Sequence, residues 1–201
     1  MRSPLALLLS LVAVVSAQDS SLSAVKKVFD DANIPSDLSI KFSPRALLEV
    51  SLPQPTGGAI TLHAGIQLPR NATAGPPSFR IIGARSRGPF VIAAVDPDAP
   101  TPQTPTVSQI RHFLGGSFTR LRDTLTNSTP AVSDFRQPTP PAGSPAHRYI
   151  FLLFNQPPGF ESQTIVTPTT SISLFNISSF AETVGLGDPI AGTFMLVAPD
   201  A

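Results

Sequence analysis

The sequence predicts a single β-rich domain with few helices. Short apolar segments with the length and the β-branched or aromatic content of strands recur along the chain. The 23 prolines among 201 residues are about twice the usual share. Their dispersed placement favours short elements joined by rigid connections. A chain of this length suits one domain, and neither an internal repeat nor a linker divides it.

A helix is expected near the start of the chain, where apolar residues recur at helical spacing over residues 22–29. Ser20 or Ser21 can cap its N-terminus. Asn33 and Pro35 are expected to end it.

The strands are expected to follow this first helix. The candidates are residues 46–52, 60–68, 79–83, 90–95, 112–115, 149–154, 172–175 and 192–197. Residues 118–146 are polar and rich in proline, which predicts a long loop. A second short helix is expected over residues 178–184, with Gly185 as its left-handed C-terminal residue.

Two of these strands, residues 90–95 and 149–154, are apolar at every position, which predicts central strands of a sheet covered on both faces. Asp96 and Asp98 come directly after the first strand, and His147 lies just before the second. If the two strands are antiparallel neighbours, the end of one lies beside the start of the other. The sequence therefore predicts that the aspartates and His147 meet at one rim of the sheet.

The acidic turn "DPDAP" is held by its prolines. Pro97 and Pro100 fix their own φ angles at about −65° and push the preceding residues into extended conformations. Asp96 and Asp98 are then presented in nearly fixed directions, which suits a binding site because little loop entropy remains to be lost. An ordinary Asp-Pro turn without a binding role is the alternative interpretation.

The chain has three histidines. His112 begins the apolar stretch "HFLGG" and can join the predicted rim from a third strand. His63 is interpreted as a packed or surface residue, because a lone histidine in a strand seldom serves as a ligand.

Composition excludes several classes of function. The 14 basic and 13 acidic residues give a formal net charge of +1, without the strongly basic face that nucleic-acid binding needs. The arginines within residues 70–87 are interpreted as a solvated surface, with a phosphate-binding patch as the alternative. Cysteine is absent, so the chain has no disulfide, no thiol nucleophile and no cysteine metal site.

The N-terminus is expected to be a secretory signal peptide over residues 1–17. Arg2 precedes an apolar run that is too short to span a membrane, and small residues up to Ala17 suit cleavage there. No other segment is apolar enough to cross a bilayer, so a secreted product is expected, with vacuolar or cell-wall association as alternatives. Sequons that fit glycosylation in a eukaryotic secretory pathway begin at Asn71, Asn127 and Asn176.

Several blocks of the chain together resemble one known family. These blocks are "FSPRALLEVSLP" at 42–53, "DPDAP" at 96–100, "RHFLGG" at 111–116, "PAHRYIFLLFNQP" at 145–157 and "DPIAGTFML" at 188–196. Their order and spacing are typical of the phosphatidylethanolamine-binding protein family, and the resemblance covers residues 38–198. It implies an all-β-dominated fold in which a large antiparallel sheet packs with a smaller one, with few short helices.

The resemblance also implies a small pocket at the rim that accepts an anionic group, such as the phosphate of a phospholipid headgroup. By motif match, its residues are Asp96, His112, His147 and Tyr149, with Asp98 and Pro141 nearby. The histidine rings and the tyrosine hydroxyl can donate hydrogen bonds to phosphate oxygens. Asp96 repels an anion, so it is expected either to orient a histidine or to meet an ammonium group.

Two departures from the family pattern concern this pocket. Arg111 stands where many members have other residues, and strand alternation is expected to turn it away from the face that His112 uses. Thr139 stands where the family tends to have glycine, and its side chain is expected to narrow the pocket or stiffen its loop.

The sequence thus predicts a secreted binding protein for an anionic small molecule or phospholipid headgroup, with no nucleic-acid partner. Inhibition of a serine protease or carboxypeptidase, another theme of the family, is the alternative. Two histidines and an aspartate can hold a metal or activate a serine, but the chain has neither H-E-x-x-H nor G-x-S-x-G. The chain is therefore expected not to be an enzyme, and neither a metal nor a cofactor is expected.

Overall fold

The computed structural model describes residues 19–200 of the chain. The predicted signal peptide, residues 1–17, lies outside the described residues. No helix within the described part is long and apolar enough to cross a membrane.

The first helix, α1, spans Leu22–Asp31 and buries Val25 and Phe29. Ser21 caps it as predicted, because its hydroxyl accepts a hydrogen bond from the backbone N–H of Ala24. A four-residue helix, α2 (Ile34–Asp37), follows directly and was not predicted. Its proline lies in the first turn, where the missing N–H costs nothing.

The third helix, α3, spans Ile177–Val184. Asn176 caps its start, and Gly185 ends it with φ 75°, as the sequence predicted. Among the described residues, two short 3₁₀ turns complete the helical content, at Arg70–Thr73 and Phe160–Ser162.

The strands of the described chain join in one sheet with the order β2-β1-β4-β7-β6-β5-β8-β9-β3. They are β1 (Leu47–Leu52), β2 (Ile60–Thr61), β3 (Ile66–Leu68), β4 (Ser78–Ile82), β5 (Phe90–Asp96), β6 (Ile110–Leu121), β7 (Thr124–Asn127), β8 (His147–Asn155) and β9 (Ala191–Val197). Neighbouring strands are antiparallel, except that β3 runs parallel to β9.

The predicted mostly-β fold is confirmed, with differences in three segments. The candidate over residues 60–68 is two short strands, β2 and β3, separated by a turn. The loop predicted over residues 118–146 is wrong at its start, which completes β6 and forms β7. The strand predicted over residues 172–175 is also wrong, because Leu174 has φ 59° and this left-handed residue interrupts any extended run.

The expected larger and smaller sheets are the two parts of one continuous sheet that curls over itself. The backbone N–H groups of Arg45 and Ala46, just before β1, donate to the carbonyl of Ile190, just before β9, at 2.8 and 3.2 Å. Strands far apart in the sheet order are therefore close in space. One part of the core, including Phe79 and Phe151, lies between the two halves of the curl.

The second part of the core lies between the central strands and the helices, and it includes Phe29, Phe154 and Phe180. β5 is buried at every position, and β8 is buried along its apolar run. These two strands therefore have a covered face on each side, as their unbroken apolar runs predicted. The ends of β5 and β8 are consequently fixed in position, and so are the polar residues that follow β5 and begin β8.

Candidate functional site

Three strand ends meet at one rim of the sheet. β5 and β8 pair antiparallel with Val95 opposite Ile150. β5 and β6 pair antiparallel with Asp96 opposite Ile110. The end of β5 therefore lies between the starts of β6 and β8, which brings the acidic turn close to the two histidines.

Asp96 and His147 form a buried hydrogen-bonded pair. The Asp96 Oδ2 lies 2.9 Å from the His147 Nδ1, and the two residues are 3% and 1% exposed. Because an aspartate accepts, the imidazole proton is on Nδ1. The His147 Nε2 is 2.8 Å from the Ser144 hydroxyl, so both ring nitrogens have partners. Asp96 also accepts the backbone N–H of Asp98 at 2.7 Å through its other oxygen.

His112 is held differently. Its Nδ1 donates to the backbone carbonyl of Arg136 at 2.8 Å, and the described residues supply no hydrogen-bond partner for its Nε2. Burial lowers the pKa of His112, and the Arg136 cation lowers it further. The imidazole is therefore neutral at pH 7, with Nε2 carrying a lone pair that can accept a proton.

Tyr149 lies between the two imidazoles. Its ring meets that of His112 edge-on at 4.9 Å between centroids and stacks with that of His147 at 6.4 Å. Burial raises the pKa of Tyr149, and the nearby Asp96 carboxylate raises it further. The phenol stays protonated across the physiological range and can donate a hydrogen bond.

These side chains surround a cavity of about 500 Å³, here named the rim cavity. The predicted residues that line it are Asp96, His112, Pro141, His147 and Tyr149, and Thr139 also lines it. Five of the six residues predicted for the pocket are thus together.

Asp98 is the predicted site residue that the structure does not bring to the rim cavity. Its carboxylate accepts the backbone N–H of Arg148 at 2.7 Å and the guanidinium at 2.6 and 3.0 Å. The same guanidinium contacts Asp37 at 2.7 Å and the Ala32 carbonyl at 2.6 Å. Asp98 therefore joins the rim to α1 and α2 rather than facing the rim cavity.

Arg111 points away from the rim cavity, as strand alternation predicted. It is 1% exposed, and its guanidinium donates to the Ser133 hydroxyl and to the carbonyls of Thr170 and Ser171 at 2.8–3.1 Å. It thereby anchors the segment from Thr170 to Phe175, whose Ile172 lines the rim cavity.

Sequence reasoning missed three polar residues of the site. Arg136 and Gln137 line the rim cavity, and the Ser144 hydroxyl contacts the Nε2 of His147. All three lie in the segment that was predicted as a long loop. The backbone of Arg136 is fixed because its N–H donates to the His112 carbonyl at 2.8 Å.

The contacts of Ser144, His147 and Asp96 follow the order of a serine–histidine–aspartate triad. Ser144 is not among the residues that line the rim cavity. Its backbone N–H donates to the Pro141 carbonyl, so this N–H is not free to stabilise an oxyanion. The two contacts fix the orientation of the His147 imidazole. Among residues 19–200, no three histidine or acidic side chains are grouped so that they could hold a metal ion.

Comparison with known proteins gives a matching family model and a related plant protein. The model of the family described as phosphatidylethanolamine-binding protein matches residues 54–195. Protein FLOWERING LOCUS T of Arabidopsis thaliana is 30% identical over 139 residues, which cover 69% of this chain and 75% of that protein.

Two solved structures share the fold. The carboxypeptidase Y inhibitor, in its complex with the cognate proteinase, has a TM-score of 0.76 at 20% identity and covers 89% of this chain and 97% of its own. The phosphatidylethanolamine-binding protein of Plasmodium vivax has a TM-score of 0.70 at 11% identity, covering 87% and 97%. At these identities the likeness concerns the fold alone.

The contacts of Asp98 predict a structural role. Asp98→Ala leaves the partly buried Arg148 cation without its closest carboxylate, so we expect the free energy of unfolding to fall by about 3 kcal/mol. Urea denaturation measures this loss, with Asp134→Ala, at an exposed acid, as the control. Anion affinity of the folded variant should stay within about twofold of the parent. A stable variant that has lost anion binding would instead return Asp98 to the binding site.

Proposed function

The chain belongs to the phosphatidylethanolamine-binding protein family, and on this premise we propose that its rim cavity binds the anionic group of a small ligand. A phosphate, either free or in a phospholipid headgroup, is the proposed class. The observation that carries the proposal is that the Nε2 of His112, a residue that lines the rim cavity, is unpaired within the described residues and becomes a hydrogen-bond donor when the ring is protonated. Asp96 is satisfied by His147 and the turn, whereas the described residues give no partner to the Nε2 of His112.

The donors around the rim cavity have complementary roles. Tyr149 keeps its proton and supplies a neutral hydrogen bond. Arg136 supplies a positive charge. His112 is neutral in the empty cavity, so an anion has to favour its protonation before Nε2 can donate.

This requirement couples binding to proton uptake. Burial holds the pKa of His112 below its ordinary value in the free protein, and a bound anion raises it by stabilising the imidazolium. Between the two pKa values, binding takes up a proton and affinity rises as pH falls. Above both values affinity is low and constant, and below both it is high and constant. The groups facing His112 that modify this range are Asp96, Arg136, His147 and Tyr149.

Sulfate tests this coupling because its charge does not change between pH 5 and 8. Isothermal titration calorimetry should show sulfate affinity rising as pH falls, by up to about tenfold per pH unit within the coupled range. His112→Gln should flatten the profile, and His63→Gln, a histidine outside the rim cavity, should leave it intact. Equal affinity at pH 5.5 and pH 8, or a profile unchanged by His112→Gln, would contradict the proposal.

Inhibition of a serine protease is the second candidate, and the fold shared with a carboxypeptidase Y inhibitor supports it. The support for inhibition is the shared fold, whereas the support for anion binding comes from the residues of the rim cavity. We therefore expect carboxypeptidase Y and common serine endoproteases to keep full activity in the presence of excess chain. A stoichiometric loss of protease activity would make inhibition the leading function, whatever the sulfate titrations show.

We propose a binding protein rather than an enzyme. Within residues 19–200, the serine that contacts the histidine–aspartate pair is Ser144, and its absence from the lining of the rim cavity supports an orienting role. The chain should be screened for esterase and phosphatase activity. An activity that is lost in Ser144→Ala would contradict this part of the proposal.

We also propose export and N-glycosylation. The carboxylate of Asp19, just after the predicted cleavage site, accepts the backbone N–H of Ala64 at 3.1 Å and so ties this end of the chain to the domain. Asn71, Asn127 and Asn176 are exposed. Expression in a eukaryotic secretory host should release a protein that begins at Gln18 and loses mass on treatment with an N-glycosidase. Retention in the cells with residues 1–17 intact would rule out export.

A further inference from the structure

We propose that the rim cavity selects phosphate monoesters that carry no ammonium group, and that Arg136 determines this selectivity. This selectivity rests on the anion-binding function proposed above and narrows its ligand class. The ligand is a phosphorylated alcohol or a phosphatidic acid headgroup rather than a zwitterion such as phosphoethanolamine.

The carboxylate that could receive an ammonium group is already occupied. Asp96 is 3% exposed, and its oxygens accept from the Asp98 N–H at 2.7 Å and from the His147 Nδ1 at 2.9 Å. The neighbouring carboxylate of Asp98 is held by Arg148 at 2.6 Å and does not line the rim cavity. An ammonium entering the rim cavity would therefore lose water and meet a buried carboxylate whose two oxygens each already accept a hydrogen bond.

Arg136 adds a positive charge to the lining of the rim cavity. Its backbone is paired with His112 through two hydrogen bonds of 2.8 Å, one in each direction. Its side chain is exposed, lines the rim cavity and forms no ion pair with the described residues. Burial is the main cause of the lowered pKa of His112, and the Arg136 cation makes a smaller contribution in the same direction, against the opposing effects of the Arg136 carbonyl and Asp96.

A guanidinium at this position attracts the phosphate and repels an ammonium attached to it. At pH 7.5 a phosphate monoester carries close to two negative charges. Phosphoethanolamine carries the same phosphate but a net charge one unit less negative. The two ligands thus differ in the group that Arg136 discriminates.

n-Propyl phosphate and phosphoethanolamine form a matched pair of probes, since a methyl group in the first replaces the ammonium of the second. In calorimetric titrations at pH 7.5, we expect the chain to bind n-propyl phosphate about fivefold more tightly. Arg136→Gln should weaken n-propyl phosphate binding by about fivefold and bring the two affinities close together. Arg85→Gln, which removes the same charge from an exposed site outside the rim cavity, should preserve both affinities.

Each of the other possible outcomes contradicts a different part of the proposal. Equal affinities in the parent chain, or tighter binding of phosphoethanolamine, overturn the selectivity and leave anion binding standing. Unchanged selectivity in Arg136→Gln overturns the role of Arg136. Failure of the parent chain to bind either ester or sulfate overturns the proposed function together with the selectivity.

Vesicles distinguish a lipid ligand from a free one. Phosphatidylcholine vesicles that contain phosphatidic acid should sediment more of the chain than vesicles that contain phosphatidylethanolamine, if the phosphate belongs to a lipid. Sedimentation with neither, together with n-propyl phosphate binding, supports a free ester of the same chemistry. Equal or greater sedimentation with phosphatidylethanolamine overturns the selectivity. The Arg85→Gln and Arg136→Gln variants separate specific capture from general attraction to an anionic surface.

Discussion

The hydrogen bond between Asp96 and His147 is the constraint on which the rim depends. It joins the end of β5 to the start of β8, and both partners are almost completely buried. A carboxylate and an imidazole in such a place have to satisfy each other, because either one alone would remain desolvated without a partner. The bond therefore fixes the Nδ1 tautomer of His147 and gives a hydrogen-bond partner to Asp96, the acid that lines the rim cavity. It also occupies the Nδ1 proton of His147, so the proposed function assigns the anion to His112, Tyr149 and Arg136.

Strand alternation distributes the neighbouring side chains between two layers. Along β8, His147 and Tyr149 serve the rim cavity, whereas Arg148 between them reaches Asp98, α1 and α2 on the other face. β6 repeats this division, with His112 toward the rim cavity and Arg111 anchored behind it. Each strand thus carries a side chain for the site and a cation that braces the layer behind it. The geometry of the rim cavity is consequently tied to the packing of the helices.

The sequence predicted the structure well where burial leaves a clear pattern of apolar residues. It predicted the structure poorly where a few local contacts determine the conformation of a segment. β5 and β8 are apolar throughout, so their central position and the polar rim that they share could be predicted. The Pro-rich segment that follows β6 has no such pattern, and its structure depends on backbone pairing with β6, as between Arg136 and His112. Arg136 and Ser144 were missed for this reason. Asp98 was expected near the pocket because it follows the same strand end and by motif match, whereas in the structure its carboxylate is held by Arg148.

The charges near the rim show why an anion suits this site. Three acids near the rim each contact a basic side chain. Asp96 contacts His147, and Asp98 and Asp37 both contact Arg148. Within the described residues Arg136 has no acid of its own, and His112 stays neutral until a ligand or a lower pH protonates it. The lining of the rim cavity therefore includes a guanidinium that has no acidic partner in this part of the chain, and protonation of His112 adds a second positive charge when an anion binds. An anion meets both, whereas a cation finds every nearby carboxylate already engaged.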